Sequence, residues 1–209
     1  MNRVFFIDFD GTITKKDTCA AMVEAFAAEG WREINEMWEN REISTGECAG
    51  RTFRLFRATP DDLRSLLETI EIDGGFKSFV DFCRRKDYPI FVVSDGYDFC
   101  IDYIFKKYGL DLTYFANKLV YQNGFGITCP HHNRDCGRCG TCKSALMKRL
   151  ADPGSQTVYV GDGVSDICPA GHSRLVFAKG RLLQHCREKG IPAVPVTGFD
   201  QVLDWLRGE

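Results

Sequence analysis

The chain has 209 residues, enough to bury one substantial apolar core but short for two large independent domains. A formal net charge of −2 supplies no basic surface for nucleic acid or an anionic membrane, so an anionic small-molecule ligand would have to be held by a local site. No apolar run reaches the roughly 18–20 residues that span a bilayer, and Met1 leads almost directly into Val4-Phe5-Phe6-Ile7 without a signal-peptide layout, which makes the cytoplasm the expected compartment.

Val4 to Ile7 is a short β-branched and aromatic run, the pattern of a strand covered on both faces, and it ends in Asp8-Phe9-Asp10-Gly11-Thr12. Helical patterning follows: Ala20 to Ala28 and Trp31 to Trp38 carry apolar periodicity, and Thr59-Pro60-Asp61-Asp62 reads as the start of a helix containing Leu63, Leu66 and Leu67. This stretch far exceeds the few residues of a simple βα connection, so residues 15–72 are expected to form a small inserted helical cap, with Gly74-Gly75 as a hinge at its exit. Ile90 to Val93 is a second strand ending in Ser94-Asp95-Gly96. Thr157 to Val160 is a third, ending in Gly161-Asp162-Gly163, and Leu175 to Ala178 a fourth. The expected fold class is α/β, a Rossmann-like parallel sheet flanked by helices. Residues 1–14 and 73–209 would be the core, with a cysteine-rich loop at 129–142.

In an open parallel sheet the ligand crevice lies beyond the carboxyl ends of the strands, so strands ending in Asp, Ser and Gly converge their polar groups on one place. Any one of these residues could be an ordinary cap or turn residue; their recurrence after three strands points to a site. Asp8 and Asp10, two apart at a strand end, can aim at the same crevice. Asp8 is then a candidate nucleophile toward phosphorus and Asp10 a candidate general acid and base. Repulsion between a carboxylate and a phosphate demands nearby cations and donors. Mg²⁺ would suit Asp8, the backbone carbonyl of Asp10, and Asp162, with Asp166 acting directly or through a hydrogen bond. Ser94, Asp95 and Gly96 are candidate phosphate-binding positions, and Lys143 is the candidate cation bridging Asp8 and the phosphate.

The strings FFIDFDGTIT, VVSDG, CK at 142–143 and VGDGVSD resemble, in order and spacing, the four motifs of the haloacid dehalogenase superfamily of phosphohydrolases. The resemblance implies Asp8 as nucleophile, Asp10 as acid–base, Ser94 on phosphate, Lys143 as charge neutraliser, and Asp162 and Asp166 on Mg²⁺. Dehalogenases of the superfamily lack the acid–base residue that Asp10 would supply, so phosphoryl transfer is implied, by a phosphomonoesterase or a phosphomutase. The position and length of the cap resemble the phosphoserine phosphatase branch, whereas Ser94-Asp95-Gly96, REISTGE at 41–47, the cysteine run before Lys143 and FAKGRLLQHC at 177–186 look closer to a neighbouring group that includes 2-hydroxy-3-keto-5-methylthiopentenyl-1-phosphate phosphatase and the phosphoethanolamine/phosphocholine phosphatases. Asp17 is placed where phosphoserine phosphatase has an acid that meets the substrate amine, and Asp95 corresponds to a motif-two acid of the phosphocholine-type relatives, which implies a cationic head group or a hydroxyl-rich enol. Asp17 reads equally well as a helix cap. Trp31, Trp38, Arg41, Glu42 and Arg51 face either the substrate or the helix core.

Cys129, Cys136, Cys139 and Cys142 lie in TCPHHNRDCGRCGTCK, whose C-x₂-C steps and glycines suit a structural Zn²⁺ site, with His131 or His132 as possible replacements for a thiolate. An Fe–S cluster and plain reduced thiols are the alternatives. The other six cysteines are expected to be reduced, packed thiols. Two non-enzymatic readings stand beside a phosphatase: a phospholigand-binding protein on this scaffold, and a zinc-stabilised interaction module.

Overall fold

A computed structural model describes residues 2–208. Strand β1 (Arg3–Ile7) is followed by four helices, α1 (Thr18–Phe26), α2 (Trp31–Glu39), α3 (Thr45–Phe53) and α4 (Pro60–Glu68), before α5 (Phe76–Arg85) and β2 (Ile90–Tyr97). Then come α6 (Asp98–Tyr108), β3 (Thr113–Tyr121), β4 (Phe125–Thr128), α7 (Lys143–Leu150) and β5 (Gln156–Gly161). A 3₁₀ turn at Val164–Asp166 leads into α8 (Ile167–Ala170), β6 (Leu175–Ala178), α9 (Gly180–Lys189), β7 (Val194–Pro195) and α10 (Phe199–Arg207).

The strands form one seven-stranded sheet in the order β4-β3-β2-β1-β5-β6-β7, parallel except for β4. The expected α/β class and parallel sheet are therefore found. The alternation of β1 explains the layering. Phe5 and Ile7 enter an apolar cluster with Phe79, Ile101 and Phe199, while Val4 and Phe6 enter a second one with Leu146, Tyr159 and Leu182. Both faces of β1 are thus covered by helices, as its continuous apolar run requires. The first cluster continues without a break through Phe9 and Met22 to Phe53, Phe56 and Leu63, so the inserted helices share an interior with the sheet.

Strand order reverses at β1, with β2 on one side and β5 on the other, which opens a crevice at the carboxyl ends of these three strands. Beside it, the β2–β3 register shifts between Val93 and Tyr97, so Ser94, Asp95 and Gly96 sit on an irregularity that re-aims their side chains. Helix α4 starts where its sequence indicates: Thr59 and Asp62 form a reciprocal capping box with Pro60 at the first turn. Two features lie outside the expectations. The β3–β4 hairpin turns at Asn123 and Gly124, both with positive φ (54° and 150°). Gly75 has an ordinary φ of −81°; its missing side chain instead admits the backbone of Asp200, whose nitrogen would lie 2.6 Å from a Cβ.

Candidate active site

Asp8 leaves β1 with its N–H on the Val160 carbonyl at 2.9 Å, and the N–H groups of Thr12, Ile13 and Thr14 all turn back onto the Phe9 carbonyl. This tight loop needs Gly11 at φ +68°, and a Cβ there would stand 2.6 Å from Asp162 Oδ2. Thr12 Oγ1 donates to Asp162 Oδ1 at 2.7 Å, locking the loop after β1 to the loop after β5. Carboxylate oxygens of Asp8, Asp162 and Asp166 consequently come within 4.8 Å of one another.

Lys143, the first residue of α7, is 2% exposed. Its Nζ donates to Asp8 Oδ1 at 2.8 Å, Asp166 Oδ1 at 2.6 Å and Ser165 Oγ at 2.9 Å. Burial alone would favour the neutral amine, but Asp166 and Asp8 outweigh it and hold the ammonium firmly charged. Asp166 is saturated. Besides Lys143 it accepts from the Tyr159 hydroxyl at 2.5 Å and from the N–H groups of Asp162 and Gly163, both at 2.9 Å. Burial pushes its pKa up, and Lys143 with these donors brings it below the usual range. Asp8 goes the other way: burial and the neighbouring Asp166 raise it more than Lys143 lowers it. Burial also raises Asp162.

Three buried or half-buried carboxylates thus face one ammonium, an excess of negative charge among hard oxygen donors. That donor set fits a divalent cation such as Mg²⁺, with Asp8 and Asp162 carrying the uncommitted oxygens and Asp166 holding Lys143 and the loop in place.

Asp10 lines the same cavity as Asp8. Its Oδ1 accepts from the Thr18 N–H at 2.7 Å and the Thr18 hydroxyl at 2.6 Å, while Oδ2 lies 3.9 Å from the Cys19 sulfur. Burial, followed by repulsion from Asp17, lifts its pKa to about 7. Gly96 is required here because a Cβ would collide with Asp10 Oδ2. Ser94 is buried and accepts from the Gly96 N–H at 2.9 Å, leaving its own proton free for a ligand oxygen.

These groups open on a cavity of about 620 Å³ bounded by the inserted helices. Met22, Val23, Ala49, Phe53, Phe56 and Tyr97 supply apolar lining, and Asp17, Trp31 and Trp38 also reach it; Arg41, Glu42 and Arg51 are not among its lining residues. Asp17 caps α1, accepting from the Ala20 N–H at 2.8 Å. Asp95 is committed to protein partners: it accepts from Thr45 Oγ1 at 2.7 Å, the Thr141 N–H at 2.8 Å and Asn117 Nδ2 at 3.2 Å. Thr12, Thr18, Thr45, Asn117 and Tyr159 join the site only through the fold. Thr12 sits inside DFDGT, whereas Tyr159 reads as one more apolar strand residue.

The arrangement of the candidate ligands does not support the expected zinc site. Among the described residues, no three of Cys129, Cys136, Cys139, Cys142, His131 and His132 bring ligand atoms within 4.8 Å of one another. Cys142 is buried, in a segment held by the Thr141 N–H on Asp95 and the Cys142 N–H on the His131 carbonyl. Meanwhile the Cys136 and Gly137 N–H groups close a turn on the Asn133 carbonyl, leaving Cys136 exposed. His131 packs edge-on against Phe115. Of the other six cysteines, Cys83, Cys100 and Cys186 are buried, Cys19 and Cys48 line the cavity, and Cys168 is exposed rather than packed.

Residues 3–177 match the family Put_Phosphatase, described as Putative Phosphatase. A 2-hydroxy-3-keto-5-methylthiopentenyl-1-phosphate phosphatase of Geobacillus kaustophilus (strain HTA426) is 33% identical, over 98% of this chain and 95% of its own. A crystal structure of phosphoserine phosphatase in apo form superposes with a TM-score of 0.74 at 20% identity, covering 98% of this chain and 99% of that one. A phospho-aspartyl intermediate analogue of phosphoserine phosphatase gives 0.73, also at 20% identity, covering 98% of each chain. No helix among the described residues is long and apolar enough to cross a membrane.

Proposed function

Because this chain belongs to the Put_Phosphatase family and has the fold of haloacid-dehalogenase-type phosphatases, we propose that it is a Mg²⁺-dependent phosphomonoesterase of a small metabolite, acting through an aspartyl-phosphate on Asp8. The observation that carries this reading is the pairing of Asp8, which lines the cavity, with buried Lys143, and the presence of protonatable Asp10 in the same lining. Residues 15–72 act as the cap over the core formed by 1–14 and 73–209.

In the first half-reaction an Asp8 carboxylate oxygen bonds to phosphorus as the phosphorus–oxygen bond to the leaving group breaks. Asp10 gives its proton to the departing oxygen. In the second, Asp10 takes a proton from water, whose oxygen bonds to phosphorus while the acyl phosphate bond to Asp8 breaks, releasing inorganic phosphate. Lys143 and Ser94 neutralise and orient the phosphate oxygens. Asp8, Asp162 and the Asp10 carbonyl would hold Mg²⁺, which when bound would supply positive charge against the repulsion between carboxylate and phosphate.

For the leaving group, the lining favours an uncharged, partly apolar chain. Arg181 is the cationic lining residue, it lies on the exposed rim, and it pairs with Glu39 at 2.8 Å. A substrate carboxylate, as in phosphoserine, would find no free cation among the described lining residues, whereas the methylthio-bearing phosphate named for the Geobacillus relative would meet Met22, Val23, Phe53 and Phe56. An ammonium head group near Asp10 and Asp17 is the second reading, motivated by the acids clustered there.

A screen of the methylthiopentenyl enol phosphate, phosphoserine, phosphoethanolamine and phosphocholine with and without Mg²⁺ tests both levels. Turnover of the enol phosphate, lost in Asp8→Asn, is the expected result; no Mg²⁺-dependent phosphate release from any of them or from an aryl phosphate would overturn the function. Transfer to a second hydroxyl without phosphate release would identify a mutase.

A further inference from the structure

Asp95 lines the cavity, yet its carboxylate is engaged by protein donors on both oxygens. Oδ1 accepts from the Thr141 N–H at 2.8 Å and Asn117 Nδ2 at 3.2 Å, and Oδ2 accepts from Thr45 Oγ1 at 2.7 Å. The three donors come from separate places: the first residue of α3 in the inserted helices, strand β3, and the end of the cysteine-rich loop. All three donate, so the position calls for a group that only accepts, which is a carboxylate and not an amide.

The contacts around this carboxylate extend it into a chain. Thr45 receives the Trp38 indole N–H at 3.1 Å, and its own N–H binds the Arg138 carbonyl of the cysteine-rich loop at 2.9 Å. Asn117 donates a further bond to the Asp95 carbonyl at 2.7 Å and accepts from the Thr141 hydroxyl at 3.3 Å. Gly140 is needed for this approach, because a Cβ there would stand 2.8 Å from the Asn117 amide nitrogen. Thr141 is two residues before Lys143, and Asp95 follows Ser94 directly.

We propose that Asp95 is a positioning residue, tying cap helix α3 to the segment that carries Lys143, so that covering the cavity and seating the lysine between Asp8 and Asp166 are one event. The cysteine-rich loop then serves as the cap's docking strap. This rests on the phosphatase reading for its kinetic consequence, though not for its structural one.

A minimal aryl phosphate separates this role from substrate recognition, since it has no head group for Asp95 to recognise. Asp95→Ala should lower kcat on it about tenfold or more with little change in KM. Asp95→Asn, which keeps an acceptor for Thr141, should recover part of that loss. Thr45→Val, which touches none of the reacting groups, should lower kcat in the same direction, and the double variant should be no worse than Asp95→Ala alone. Hydrogen exchange supplies an arm independent of activity: Thr45→Val should speed exchange in peptides covering 139–146, across the gap from the substitution. If wild type proves inactive the phosphatase reading fails, and this arm still decides the tie. Unchanged exchange at 139–146 in Thr45→Val would overturn the proposal. So would an Asp95→Ala enzyme that hydrolyses the aryl phosphate at the wild-type rate and loses only KM for larger esters.

Discussion

Replacing Asp10 with asparagine should slow hydrolysis of alkyl phosphates far more than that of an activated aryl phosphate. The substitution is nearly isosteric: the amide oxygen can keep both Thr18 bonds, at 2.7 and 2.6 Å, and the amide nitrogen falls where Oδ2 now faces Gly96 and Cys19. What disappears is the proton. General acid catalysis contributes about 10²–10⁴-fold, equivalent to about 3–5 kcal/mol of barrier, and an alkoxide leaving group needs all of it. An activated phenolate departs with little help, so it should still phosphorylate Asp8, after which the variant lacks the base that activates water. Rapid mixing should therefore show a burst of about one phenolate per site, followed by slow turnover, with acyl phosphate trapped on the enzyme. In the parent enzyme, kcat/KM for alkyl esters should fall as pH rises through about 7, because burial and Asp17 hold the Asp10 proton to that point. Equal losses on both substrate types, with no burst, would refute the assignment of Asp10.

Lys143→Met should both abolish turnover and destabilise the fold by about 3–5 kcal/mol, because Asp8 and Asp166 would be left as buried carboxylates without their ammonium; thermal unfolding measures this. Gly11→Ala combines a φ of +68° with a methyl 2.6 Å from Asp162 Oδ2, so it should cost about 1 kcal/mol or more of stability. It should also raise the Mg²⁺ concentration for half-maximal activity, read from a metal titration. Cys136→Ser, at an exposed thiol outside any ligand cluster, should leave Tm unchanged, and elemental analysis of the untreated protein should find no stoichiometric zinc.

The amino-acid order by itself determined the parallel sheet and the location of its candidate site. Continuous apolar runs such as Val4 to Ile7 can only be satisfied between two helical layers, and the acids that follow them are placed by chain continuity at one edge. Helix α4 was legible for a similar reason, since a Thr-Pro-Asp-Asp start is a local hydrogen-bonding device. The β3–β4 hairpin was not, because its partly exposed strands lack the apolar run that betrays buried ones. Spacing was a weaker guide at the cysteines: C-x₂-C steps say that thiols can meet, whereas among the described residues no three of these ligand atoms gather.

Partnership was the province of tertiary structure. Whether Asp166 would bind metal or clasp Lys143 and Tyr159, and whether Asp95 would face a ligand or Thr45, Asn117 and Thr141, depended on groups 7 to 50 residues away. A buried carboxylate takes whichever donors packing delivers to it, since leaving it unpaired is costly, and local sequence carries no record of that delivery.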